Sequence, residues 1–130
     1  MANFLIKFLL IIQIFVMLGC SSIDPCHELE ILREQSPDDA VDFVVMEKDC
    51  GATTSISILI FIVPKGSSTD EFKPIFMADH VDGLTVNWKK AREMTIEYRN
   101  ARIFSYTNFW QFRYVQNFKY IVSVREYRYQ

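Results

Sequence analysis

The chain has no marked excess of either charge: 14 Lys and Arg stand against 16 Asp and Glu over 130 residues, a formal net charge of −2. A strongly basic balance would point to nucleic acid and a block of acids to a solvated tail, and neither is present overall. Histidine is scarce at two residues, which leaves a zinc site short of the three or four gathered ligands it needs. No internal repeat, heptad or low-complexity tract occurs. No apolar run reaches the roughly 18–20 residues required to span a bilayer.

What the chain does have is an apolar beginning, "MANFLIKFLLIIQIFVMLGCSS". Lys7 and the terminal amine form a thin positive region, and Phe8 to Leu18 is apolar apart from Gln13. That length suits the core of a secretory signal peptide, about 7–15 residues. An uncleaved N-terminal anchor helix is the competing reading. Removing residues 1–19 leaves 111 residues, enough for one domain and too few for two. Lys7 goes with them, so 13 basic groups face 16 acidic ones. Asp24 to Asp49 is acid-rich and Asn108 to Gln130 is base-rich, a division that the fold can neutralise internally.

Apolar residues recur with period two rather than 3.6, the signature of strands. "HELEILRE" alternates through Leu29 and Ile31; "AVDFVVMEK" sets Val41, Phe43 and Val45 on one face and Asp42 on the other. In "SISILIFIV" both faces are apolar, which predicts a central strand covered on both sides. "PKGSSTDEFKP" reads as a loop. "IFMAD", "LTVNW", "MTIEYR", "RIFSY", "FWQFRYV" and "YIVSVREY" follow as further strands, with a helical turn conceivable only in "NWKKAREM". The expectation is an all-β antiparallel domain over residues 28–130, with about six to eight strands in a small sandwich or curled sheet.

Three cysteines are present, Cys20, Cys26 and Cys50. In an oxidising compartment thiols within reach of each other pair. "QSPDDA" carries turn chemistry, so strand 28–35 can reverse there and return as 40–49. A hairpin centred near Asp38 sets positions 26 and 50 opposite each other, within disulfide reach. Closing that loop would stabilise the domain by roughly 3–4 kcal/mol through chain entropy. A thiolate nucleophile at Cys50 would instead need a base, His80 or His27, and no local signature of such a cysteine surrounds it. Gly51 then frees the backbone after the disulfide, and Thr53, Thr54 and Ser55 suit the polar start of the next strand.

"MLGCSS", with Met17, Leu18, Gly19 and Cys20, resembles the lipobox of bacterial lipoproteins. The resemblance implies cleavage before Cys20, its modification with palmitate-type acyl chains, and a lipidated tether over residues 20–27. Ser21 and Ser22, with no aspartate after Cys20, resemble the sorting signal for the outer membrane. That implies a lipid-anchored envelope protein facing the periplasm. A second likeness runs through "SPDD", "VVMEKDCGATT", a strand ending "PKG", "IFMADH" and "MTIEYRNARIF". This order resembles a set of small bacterial exported proteins with an "RDCGATT"-type motif. It is strongest at Asp49 to Thr54 and Ala101 to Phe104, and departs at "SPDD" and over the aromatic stretch from Tyr106 to Tyr120. It implies fold and location, and no activity.

Two further places carry chemistry. "MADHVDG" offers Asp79, His80 and Asp82, but a calcium loop counted from Asp79 would need an acid where Lys90 stands. A solvated turn is the plain reading, and no metal or cofactor is expected. The segment Phe104 to Tyr129 packs ten aromatics among Arg113, Lys119, Arg125 and Arg128. Alternate rings suit a core, while rings beside cations suit a partner-facing patch, with Trp110, Arg113 and Tyr114 near its centre. The sequence thus favours a non-enzymatic binding or structural module in the envelope. Its partner would be another envelope protein or a glycan, not nucleic acid. The alternative is a small periplasmic hydrolase using Asp79, His80 and Asp82.

Overall fold

The computed structural model describes residues 1–7 and 25–130. Most of the expected signal peptide, the lipobox-like stretch with Cys20, and residues 20–24 of the expected tether lie outside these residues. Residues 2–7 are helical, and no helix among the described residues is long and apolar enough to cross a membrane.

Nine strands are described, in two unclosed sheets. The first holds β1 (His27–Gln35), β2 (Val41–Asp49), β3 (Ser57–Pro64), β4 (Phe76–Asp82) and β7 (Asn100–Tyr106), in that spatial order. The second runs β5 (Thr85–Lys90), β6 (Glu93–Tyr98), β9 (Val122–Arg128), β8 (Phe109–Trp110). Every ladder is antiparallel except β6 with β9. Of the expected sandwich or curled sheet, the all-β sandwich is the architecture, and its first strand starts at His27.

The core forms where the inward rows meet. Val41, Phe43 and Val45 of β2 and Ile58, Ile60 and Ile62 of β3 pack on Met94, Ile96 and Tyr98 of β6 and on Val122 and Val124 of β9. The opposite row of β3, Leu59, Phe61 and Val63, is also buried, with Val44 and Phe72 against it. Phe72 comes from the loop between the prolines, so that loop covers a sheet face. Asp42 fastens it: the buried carboxylate accepts from Arg33 Nη1 at 3.0 Å and from the Gly66 amide at 2.9 Å.

Two segments differ from the sequence reading. "NWKKAREM" is the β5–β6 hairpin rather than a helical turn, because Trp88 and Met94 are cross-strand partners whose burial needs period two. In "FWQFRYV" only Phe109 and Trp110 stay in a strand. The chain then reverses through Gln116–Phe118, a 3-10 turn with left-handed backbone, because β8 must meet β9 antiparallel.

Ile60 lies in the inner row with no exposed surface. Ile60→Ala is expected to cost about 2–5 kcal/mol in denaturant unfolding. A loss well below that range would mean the inter-sheet row is not the main core.

Candidate functional site

A regular β1 would put Leu29 and Ile31 on one face. A bulge between Glu30 and Leu32 breaks that alternation: Leu29 pairs with Glu47 and Leu32 with Val45, both on the inward side, and Ile31 is the extra residue. The turn absorbs the slip, because the Ser36 amide bonds the Val41 carbonyl at 2.8 Å. At the far end His27 faces Asp49, and the next pair out, Cys26 and Cys50, is a disulfide.

The bulge leaves apolar side chains on the open flank of the sandwich, where edge strands β1 and β5 run past each other. Trp88 closes one end of this flank. Its indole N–H donates to the Glu34 carbonyl at 3.2 Å, and its ring lies 5.7 Å from that of Phe43. Toward the disulfide end the flank opens as a groove of about 400 Å³, lined by Ile31, Leu32, Val45, Ile58, Val81 and Leu84, with Glu47 among them. A hollow of about 350 Å³ shares Glu47, Ile58 and Val81 with it and continues to Ser55, Ile56 and His80. Leu29, Ile31, Leu32 and Ile56 are each roughly half exposed around this rim.

At the end of the hollow three polar side chains form a line. Neighbours on a strand point to opposite faces, yet His80 Nδ1 lies 2.9 Å from the carboxylate of Asp79. The backbone explains it. His80 has φ 51°, a left-handed conformation rare outside glycine, at a break in the β4–β7 ladder, and this swings its ring back toward Asp79. His80 Nε2 in turn stands 3.4 Å from Ser55 Oγ. Ser55 comes from the segment after the disulfide. There the Gly51 amide bonds the Asp49 side chain and the Thr54 amide bonds the Gly51 carbonyl, which turns the chain back toward β4. The pairing of Ser57 with Asp79 then carries Ser55 beside the residues just after Asp79.

Asp79 is buried at 4% exposure and is held on its other side by Arg102, whose Nε donates to Oδ1 at 2.7 Å and whose Nη2 donates to Oδ2. These donors, Arg102 first and then His80, hold its pKa down to about 2 against the opposing effect of burial. The Asp79 carboxylate accepts from Nδ1, so in the neutral imidazole the proton sits on Nδ1 and Nε2 is left as the acceptor facing Ser55.

Of the sequence candidates, Asp79 and His80 are together, while Asp82 pairs with Arg99 at 3.0 Å and stands apart. The sequence alone offers Ser55 only as a polar strand start; the signal that finds it is the β3–β4 register. Trp110 is buried in the core, whereas Arg113 and Tyr114 are exposed. Phe112 links them, lying 6.2 Å from Trp110, 5.4 Å from Tyr114 and 5.0 Å from Phe72, beside a surface hollow of about 520 Å³ that includes Asp70 and Glu71. Among the described residues no three His, Cys, Asp or Glu gather as metal ligands.

No family model, curated protein or solved structure matches the chain.

The lowered pKa of Asp79 sets a direction for acid stability. Its folded value, about 2, lies below an unfolded value of about 3.9. Its contribution is therefore complete above about pH 5 and declines as pH falls toward 2. Asp79→Asn is expected to unfold more easily at pH 7 and to show a flatter midpoint between pH 5 and 2 than the parent. Parallel curves would show that the Arg102 pairing contributes nothing to stability.

Proposed function

We propose that the chain is a lipid-tethered envelope protein, anchored through Cys20 in the outer membrane and facing the periplasm, whose β-sandwich binds an acyl chain in the groove between β1 and β5. The observation that carries this reading is the groove itself: a mostly apolar lining, interrupted by Glu47 and Thr85, left open at one end of a sandwich that Trp88 closes at the other. Its volume falls within the range of about 300–1,000 Å³ typical of small-ligand sites.

The tether favours a lipid as the occupant. A fully extended chain of the length from Cys20 to Cys26 could span at most about 20 Å. Leu29 stands only about 10 Å farther along β1. A lipid on Cys20 would hold the open end of the groove near the bilayer surface. Charge narrows the ligand further. Glu47 lies midway along the lining, and a second carboxylate beside it would be repelled, so an esterified acyl chain suits the groove better than a free fatty acid.

Two measurements test the reading. The intact mass of the membrane-extracted protein should begin at Cys20 and carry acyl chains, and a retained Met1 would replace the lipid tether with an anchor helix. A fluorescent monoacyl ester should bind the protein, and Leu32→Asp, at a half-exposed position, should weaken that binding by about tenfold or more while unfolding at the same denaturant concentration. Unchanged binding in Leu32→Asp would move the ligand away from this groove.

A further inference from the structure

From the line Asp79–His80–Ser55 at the end of the groove we infer an esterase site for carboxylic esters of apolar acids, an inference that rests on acyl-chain binding in the groove. Three observations converge on it. The order carboxylate, imidazole, hydroxyl is that of an activated serine, with spacings of 2.9 and 3.4 Å. His80 holds this position only through a left-handed backbone, a strained conformation that ordinary strand pairing does not require. The hydroxyl also lines a hollow that continues into the mostly apolar groove, so an acyl chain lying there would bring its carbonyl toward Ser55.

The reaction balances with water alone. Ser55 Oγ attacks the ester carbonyl carbon and its proton passes to His80 Nε2. The bond from that carbon to the alkoxy oxygen breaks, and the alcohol leaves with the proton from Nε2. Water then attacks the acyl-serine, giving its proton to Nε2, and the carboxylic acid departs as the serine hydroxyl is restored. Asp79 fixes the tautomer throughout. The two hydrogen bonds it accepts from Arg102 draw charge from it, so it orients the ring more than it stabilises the imidazolium, and a slow turnover is expected.

The test uses the full-length protein, a long-chain alkyl fluorophosphonate with peptide mapping, and nitrophenyl esters of increasing acyl length. The expected result is a label on Ser55, with labelling and hydrolysis falling about a hundredfold or more in Ser55→Ala and in His80→Ala, and hydrolysis rising with chain length. A label absent from Ser55, or equally strong in His80→Ala, would overturn the site. Binding of the fluorescent ester by Ser55→Ala separates the two readings. If the ester binds while the parent resists labelling, the groove stands and the esterase falls. If Ser55 reacts but neither ester binding nor chain-length dependence is seen, the groove reading falls and the proposed substrate class with it.

Discussion

The burial of β3 on both faces is the constraint from which the rest of the molecule follows. Ile58, Ile60 and Ile62 face the second sheet, and Leu59, Phe61 and Val63 face the opposite way; all six are buried. A strand with two apolar faces must be flanked by strands and covered above and below. β2 and β4 provide the flanks and the second sheet covers one face. The loop between the two prolines helps to cover the other through Phe72, with Asp42 and Arg33 fastening it by its Gly66 amide and Ser67 carbonyl. This arrangement leaves β1 at the sheet edge, over the flank where the groove opens.

Much of this was legible in the residues because burial and strand period are local signals. The two apolar rows of "SISILIFIV" marked β3 as central. The turn chemistry of "SPDD" placed Cys26 opposite Cys50. What could not be read are the contacts that join distant segments. Asp38 looked like a turn residue and is one, bonded by Ser36 at 2.7 Å, but it also receives the hydroxyl of Tyr120 at 2.8 Å. Burial and this carboxylate together push the Tyr120 phenol up to about 12. Nothing around residue 38 announces a partner 82 positions away.

The β1 bulge was hidden for a different reason. "EIL" is compatible with either face, and only the extra residue absorbed at the turn decides which side chains point inward. Ile31 therefore changes from a member of an alternating row to the residue that widens the rim. Ser55 was hidden by composition: in "GATTS" a hydroxyl is ordinary, and its relation to His80 exists only through the β3–β4 register.

His80 ties the local geometry to the closure of the whole sandwich. Two adjacent strand residues can meet only if the backbone between them leaves the strand, and the left-handed conformation that achieves this must be held from outside. The β4–β5 turn supplies that hold. Gly83 also has a positive φ, 69°, and a side chain there would strike the Tyr129 hydroxyl, which donates to the Gly83 carbonyl at 2.7 Å. Asp82 pairs with Arg99, whose amide also bonds the Asp82 carbonyl at 2.8 Å. These contacts come from Arg99, between β6 and β7, and from Tyr129, just past the end of β9. The position of the imidazole relative to Ser55 is thus set by segments that touch neither residue. Loosening the C-terminal end of β9 would disturb the site before it disturbed the core, because Tyr129 supports the turn whereas Val122 and Val124 supply the burial.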